Sequence, residues 1–181
     1  RGPILAGMAA VVLMQLGAQA LFTKKPTAYA FSNQSRGSYL EANIAAYNVV
    51  RWLNANIGVN ERVLIPYRQW NYVLNVPYFY GHPSTQGMIF TEGDRTPIGA
   101  FWADIRAQNI TYIASNMPQD GSQPNGDYAY YAWALSNMGC AREVSQVNAR
   151  EISSRTVPSE PANTWKMRIH RVTPQHCPIG K

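Results

Sequence analysis

The stretch "WKMRIHRVTPQHC", residues 165–177, decides how the C-terminal part of this chain folds. Its tryptophan, methionine and isoleucine alternate with lysine, arginine and histidine, which predicts a strand with one buried face. The earlier stretch "CAREVSQV", residues 140–147, predicts a second strand. Antiparallel pairing of these strands would bring the start of one to the end of the other, so a disulfide between Cys140 and Cys177 is geometrically possible.

That disulfide would stabilise the domain and would also indicate its compartment. It would close a loop of about 37 residues and contribute about 4 kcal/mol in the chain-entropy model. The alternative is a pair of unrelated thiols in a reducing compartment. We favour the bridge between Cys140 and Cys177, which points to a location outside the cytoplasm.

The elements before this strand pair alternate between helix and strand. A capping box at Ser38 and Glu41 opens the first helix, and Gly139 ends the last one. The order predicts an α/β fold, a small two-layer or three-layer sandwich with a mixed sheet. The predicted elements are a helix over 38–57, a strand over 62–67, a short helical turn and extended piece over 68–83, a helix from 96, a strand over 110–115, a helix over 127–138, and strands over 141–147, 149–157 and 165–172.

The N-terminal stretch from Ile4 to Phe22 carries no charge. A helix of that length would span about 28 Å, close to the thickness of a bilayer's hydrocarbon core. A buried helix of a soluble protein and an uncleaved signal peptide are the alternatives. We predict a transmembrane anchor over residues 1–25, a linker over 26–37 and an extracytoplasmic α/β domain over 38–181.

Five residues of this anchor are candidates for packing against another membrane helix. Ala6, Ala10 and Gly17 are small enough to allow close approach, and Gln15 and Gln19 could hydrogen-bond across the contact. The expected partners are therefore membrane lipid and other transmembrane helices or subunits.

The sequence contains conflicting signals for the orientation of the anchor in the membrane. Lys24 and Lys25 follow it directly, and the positive-inside rule would place them in the cytoplasm. Arg1 adds a positive charge at the other end. We give the predicted disulfide more weight than the positive-inside rule, and we predict a single-pass protein with a periplasmic domain.

The charge pattern argues against nucleic-acid binding. The formal net charge is +6, and three basic residues lie within the first 25. The remaining 13 basic and 10 acidic residues are scattered, with no basic run that would bind phosphate backbones. No nucleotide-binding, hydrolase or metalloprotease motif occurs, and the histidines and cysteines lack metal-ligand spacing. We predict no cofactor, no metal and no catalytic residue.

One group of residues is a candidate ligand site, because it follows the first strand, where α/β sheets often bind ligands. An arginine there could hold a phosphate or carboxylate, and the rings could stack on a sugar. The alternative is that the rings fill the space between sheet and helices. The group consists of Tyr67, Arg68, Trp70, Tyr72 and His82.

Three stretches carry a resemblance to a known family: "PTAYAFSN" at 26–33, "YNVVRWLNANIGVNERVLIPYRQWNYVLNVP" at 47–77 and "DIRAQNITYIASN" at 104–116. Together with the apolar span, they resemble the end of multi-spanning glycosyltransferases that use polyprenyl-phosphate sugars, the relatives of protein mannosyltransferases and aminoarabinose transferases. The likeness covers residues 1–116. Many bacterial members finish with a transmembrane helix and a soluble α/β domain outside the cytoplasm.

The resemblance implies an accessory role. In that family the acidic catalytic residues belong to an early loop between membrane helices, and nothing here matches that loop. The chain would then be a non-catalytic domain that shapes access to an active site elsewhere, with a lipid-linked sugar nearby. Two alternatives remain: a single-pass accessory subunit of a respiratory or photosynthetic complex, and an enzyme with a site around Arg68 and His82.

Overall fold

The structure is a computed structural model that describes residues 2–81, 97–118, 120, 122–124, 127–150 and 164–179. The chain divides into two compact units, Arg1–Leu40 and Glu41–Lys181. The helices are α1 (Gly2–Ala30), α2 (Arg36–Asn43), α3 (Tyr47–Asn56), α4 (Ile98–Ala107) and α5 (Asp127–Asn137). The strands are β1 (Val63–Ile65), β2 (Tyr78–Tyr80), β3 (Tyr112–Ser115), β4 (Ala141–Arg150) and β5 (Thr164–Val172), and short 3₁₀ helices cover Arg68–Tyr72 and Pro174–His176.

The first unit consists mainly of α1, a helix of 29 residues, and eight of its large apolar side chains, from Ile4 to Leu21, are exposed. Among the residues that the structure describes, no helix combines the length and the hydropathy needed to cross a membrane.

The helix α1 ends later than the sequence predicts. It continues through Pro26 to Ala30, so residues 31–35, rather than 26–37, form the non-helical connection to α2. Proline removes one backbone donor from a helix but does not prevent later residues from bonding helically. The N–H of Phe31 accordingly donates to the carbonyl of Thr27 at 3.2 Å.

The single helix predicted over 38–57 is in fact two helices, α2 and α3. The cap of α2 is Ser35, whose Oγ accepts from the N–H of Ser38 at 3.2 Å. The chain breaks at Ala46, which adopts a left-handed conformation with φ of 54° and donates its N–H to the carbonyl of Arg150 at 3.0 Å. This contact with β4 lies about 100 positions away in sequence, so a local periodicity could not reveal it.

A mixed five-stranded sheet organises the second unit, in the order β2-β1-β3-β5-β4. The strands β2, β1 and β3 are parallel, whereas β5 is antiparallel to both β3 and β4. The predicted α/β fold with a mixed sheet is confirmed. The predicted antiparallel pairing of the strands over 141–147 and 165–172 is also confirmed, as β4 and β5. Cys140 and Cys177 form a disulfide with an S–S distance of 2.01 Å.

Helices cover both faces of this sheet, which makes it a three-layer sandwich. On one side, the α3 face, the helix packs Val50 and Leu53 against Met167 and Ile169 of β5. On the other side, the α4–α5 face, the two helices pack against the sheet around Ile113. Strands buried on both faces are continuously apolar, as β1 is.

This double coverage corrects one expectation about β5. The alternating pattern predicted that His170 would lie on the open side of a strand with one buried face. In the structure, Met167 and Ile169 are buried as expected, but His170 is fully buried on the other face. The reason is that α4 and α5 cover that face, which the pattern of a single strand does not encode.

The helices of the α4–α5 face follow their local signals closely. The helix predicted from residue 96 corresponds to α4, and its side chains Phe101, Trp102 and Ile105 are buried. The ring of Phe101 stacks on Tyr131 of α5 at a centroid distance of 4.3 Å. The helix α5 ends before Gly139, whose φ of 75° suits a residue without a side chain.

The strand predicted over 149–157 begins inside β4, which runs without interruption to Arg150. The rest of that prediction lies outside the described residues.

Candidate functional site

The aromatic group predicted after the first strand lies on the 3₁₀ helix Arg68–Tyr72 and beside it. Trp70 is completely buried, and its Nε1 donates to the carbonyl of Ala45 at 2.9 Å. Its ring lies 5.4 Å from that of Tyr67. These contacts support the interpretation that the rings fill the space between the sheet and α3.

Two further members of that group are exposed to solvent. Arg68 is exposed, and Tyr72 is 79% exposed. The fifth member, His82, lies outside the described residues. Ligand binding by this group stays a prediction.

The five candidate packing residues of α1 divide between two sides of the helix. At 100° per residue, Ala6, Ala10 and Gly17 lie within about 40° of one another, whereas Gln15 and Gln19 lie on the opposite side. A side chain added at Gly17 would meet no atom within 4 Å. A single neighbouring helix therefore cannot contact the small residues and the glutamines together.

A buried polar group that the sequence did not reveal lies on the α4–α5 face. His170 and Ser115 are fully buried, and among the described residues neither ring nitrogen of His170 nor the hydroxyl of Ser115 has a hydrogen-bond partner. Next to them, Arg168 and Glu143 form an ion pair with an N–O distance of 3.4 Å. The strand register places these side chains together, because Ser115 is opposite Arg168 and His170 is opposite Glu143.

The environment of this group keeps His170 neutral. Burial lowers the pKa of His170 to about 4, an effect that the carboxylate of Glu143 opposes and the guanidinium of Arg168 reinforces. Serine, histidine and glutamate are residue types of nucleophilic catalysis, but this serine and histidine have no exposed surface that a substrate could reach.

A cavity of about 780 Å³ lies where β4 begins and β5 ends, and its lining includes chain neighbours of both disulfide cysteines. Two cations line it, Arg142 and Arg171, which are directly opposite each other in the ladder between the strands. Polar side chains make up much of the remaining wall. The lining residues are Thr111, Ser136, Gly139, Ala141, Arg142, Glu143, Arg171, Val172, Thr173, Gln175 and His176.

No local sequence pattern reveals this cavity. Its arginines are separated by 29 positions and become neighbours only through strand pairing. The antiparallel pairing of the two strands is the sequence signal that bears on it, because the register of that pairing sets which charged residues lie opposite each other.

Within the described part of the chain, no group of three histidine, cysteine, aspartate or glutamate residues could hold a metal ion. A comparison of the chain with known protein families, curated proteins and solved structures finds no match.

Proposed function

We propose that this chain is a non-catalytic α/β domain that α1 attaches to a membrane on the extracytoplasmic side. Its role is to scaffold a neighbouring protein or shape access to it, as the resemblance to the tail of lipid-linked-sugar glycosyltransferases implies. Membrane lipid and other membrane helices are its partners in this proposal, with a lipid-linked sugar nearby.

The observation that carries the proposal is the exposure of apolar side chains on α1. The four consecutive residues Val11–Met14 are 54–74% exposed, and at 100° per residue they point to all sides of the helix. The helix carries no charge between Ile4 and Leu21. A helix that is apolar all round is normally buried in a protein core or in lipid. The proposal rests on this exposure, since the hydropathy of the described residues identifies no membrane-crossing helix.

The disulfide between Cys140 and Cys177 supports the location of the domain. Disulfides form and persist outside the cytoplasm and are rare within it. In this proposal, the domain therefore lies on the oxidising side of the membrane to which α1 attaches it.

Flotation with lipid vesicles tests the attachment. The whole chain, diluted from detergent into neutral phosphatidylcholine vesicles, is expected to float with the lipid. The variant Leu13→Lys places a charge in the middle of α1 and should weaken the association by about 100-fold, since a lysine at the centre of a membrane helix costs about 3 kcal/mol.

Val59→Lys is the matched control, because Val59 is also an exposed apolar residue but lies in the turn after α3. It should float like the parent chain. Equal flotation of Leu13→Lys and the parent chain, or a parent chain that stays in solution, would overturn the proposal.

Protease accessibility tests the side of the membrane. In spheroplasts, from which the outer membrane has been removed, an added protease should cleave within residues 41–181. Cleavage only after the spheroplasts are lysed would place the domain in the cytoplasm and contradict the proposal.

The separate face of small residues on α1 favours a second candidate, an accessory subunit of a larger membrane complex. Ala10 and Gly17 share this face, and open space surrounds Gly17. Replacing both with leucine should release the chain from such a complex while leaving flotation intact. Gln15→Leu, on the opposite side, is the control, and unchanged assembly of the double variant would exclude this candidate.

A further inference from the structure

The cavity beside the disulfide has an uncompensated positive charge. Arg142 and Arg171 are directly opposite each other in the ladder, and like charges in that position destabilise a sheet. Arg171 is compensated, because its guanidinium lies 3.3 Å from the carboxylate of Glu61 and over the ring of Tyr112. Arg142 has no carboxylate within ion-pair distance among the described residues. The structure therefore leaves one guanidinium at the cavity without a counter-charge.

The acidic residue of the cavity wall cannot supply that counter-charge. Glu143 pairs with Arg168 at 3.4 Å and accepts a hydrogen bond from Nε2 of Gln146 at 2.7 Å. These bonds lie on the α4–α5 face, whereas Arg142 shares the α3 face with Arg171. The carboxylate of Glu143 is thus already occupied on the other side of the strand.

The same wall offers hydrogen-bond donors. Ser136, Gln175 and His176 line the cavity, and within the described part of the chain their side chains make no hydrogen bond to another residue. A hydroxyl, an amide and an imidazole that line the same cavity as a guanidinium are donors suited to the oxygens of an anion. The hydroxyl of Thr173, in contrast, already donates to the carbonyl of Gly139 at 3.0 Å.

We propose that this cavity binds a phosphate group, with Arg142 as the main ligand and Ser136, Gln175 and His176 as additional donors. An arginine fork matches two phosphate oxygens at once. The volume of about 780 Å³ is large for an inorganic ion but usual for a small-molecule site, so the phosphate belongs to a larger ligand. That ligand is either a free phosphorylated compound or a lipid headgroup. The inference does not depend on membrane attachment.

Ligand-dependent unfolding of the whole chain in nonionic detergent tests the site. The probes are inorganic phosphate, glycerol 3-phosphate, and phosphatidic acid in mixed micelles, each against chloride at equal ionic strength or phosphatidylcholine micelles. Saturable stabilisation by the soluble probes indicates a free phosphorylated ligand, and saturable stabilisation by phosphatidic acid alone indicates a lipid headgroup. Either result supports the proposal, and no saturable response to any probe overturns it.

Arg142→Gln should weaken binding of the effective probe by at least about 10-fold, because it removes a charged hydrogen-bond pair. Arg150→Gln is the matched control. Arg150 is an exposed arginine of the same strand, but the bulge between Glu143 and Ser145 places it on the opposite face from Arg142. Its affinity should equal that of the parent chain.

Folding does not confound this comparison. Arg142 is exposed, and its replacement removes a like-charge contact, so Arg142→Gln in chloride should unfold no earlier than the parent chain. Equal losses of affinity in the two arginine variants would indicate attraction of anions to general positive charge and would overturn the specific site.

Discussion

Acid should destabilise the domain through His170. This side chain is fully buried and has no hydrogen-bond partner in the part of the chain that the structure describes, and burial lowers its pKa to about 4. The unfolded chain therefore takes up a proton as the pH falls through 6.5, whereas the folded chain takes it up only near pH 4. The stability associated with a neutral His170 is fully present above pH 6.5 and is lost as the pH falls toward 4.

The size of this loss follows from the two pKa values. Each pH unit between them costs about 1.4 kcal/mol, so the total approaches about 3 kcal/mol by pH 4. About 2 kcal/mol of this falls between pH 7 and pH 5, before most carboxylates begin to titrate. That difference is a large part of the stability of an ordinary domain.

Urea unfolding of the whole chain in nonionic detergent, followed by tryptophan fluorescence at pH 7 and pH 5, measures the effect. In His170→Leu, the contribution of this residue to the difference in free energy of unfolding between pH 7 and pH 5 should disappear. Leucine has a similar volume and no proton to bind. Its stability at pH 7 should not fall, since the replacement removes two unpaired polar atoms from the core. His176→Asn, which changes an exposed histidine, should keep the acid sensitivity.

The reasoning fails if His170→Leu loses as much stability between pH 7 and pH 5 as the parent chain. It also fails if the parent chain is equally stable at both values, because a buried neutral histidine must be protonated on unfolding below pH 6.5.

Reduction of the disulfide between Cys140 and Cys177 should lower the free energy of unfolding by about 4 kcal/mol, measured as a shift of the urea midpoint with and without reductant; an unchanged midpoint would contradict the loop-closure argument. Trp70→Ala should lower the free energy of unfolding by about 3–5 kcal/mol, because it empties a buried site and removes the hydrogen bond to Ala45. Tyr72→Ala, on the same 3₁₀ helix, should change it by less than about 0.5 kcal/mol. Equal effects in these two variants would refute the assignment of Trp70 to the core. Ser115→Ala should leave stability unchanged or raise it by about 1 kcal/mol, since it removes a buried hydroxyl without a partner; a loss above about 1 kcal/mol in the same urea assay would indicate a bond that the structure lacks.

The elements that local signals specify were predicted well. The helix α4, the end of α5 before Gly139 and the strand β5 all depend on residues within one or two turns of each other. The disulfide could also be predicted from the sequence, because it follows from pairing two predicted strands. These features need only the period of a helix or strand and the conformational freedom of one glycine.

Three features of the structure were not predicted from the sequence. The break at Ala46 depends on a hydrogen bond to Arg150, and the continuation of α1 past Pro26 opposes the usual signal of a proline. In the candidate ligand site after the first strand, the sequence could not show that Trp70 is a core residue and Tyr72 an exposed one.

The fold class, the strand pair with its disulfide and the uncharged N-terminal segment can be read from the amino-acid order alone. The folded structure was needed to show that both faces of the sheet are covered, that His170 is therefore buried, and that Arg142 and Arg171 lie side by side at a cavity. Secondary structure reflects interactions between near neighbours in the chain, whereas burial and charge pairing depend on which distant elements come to lie against each other.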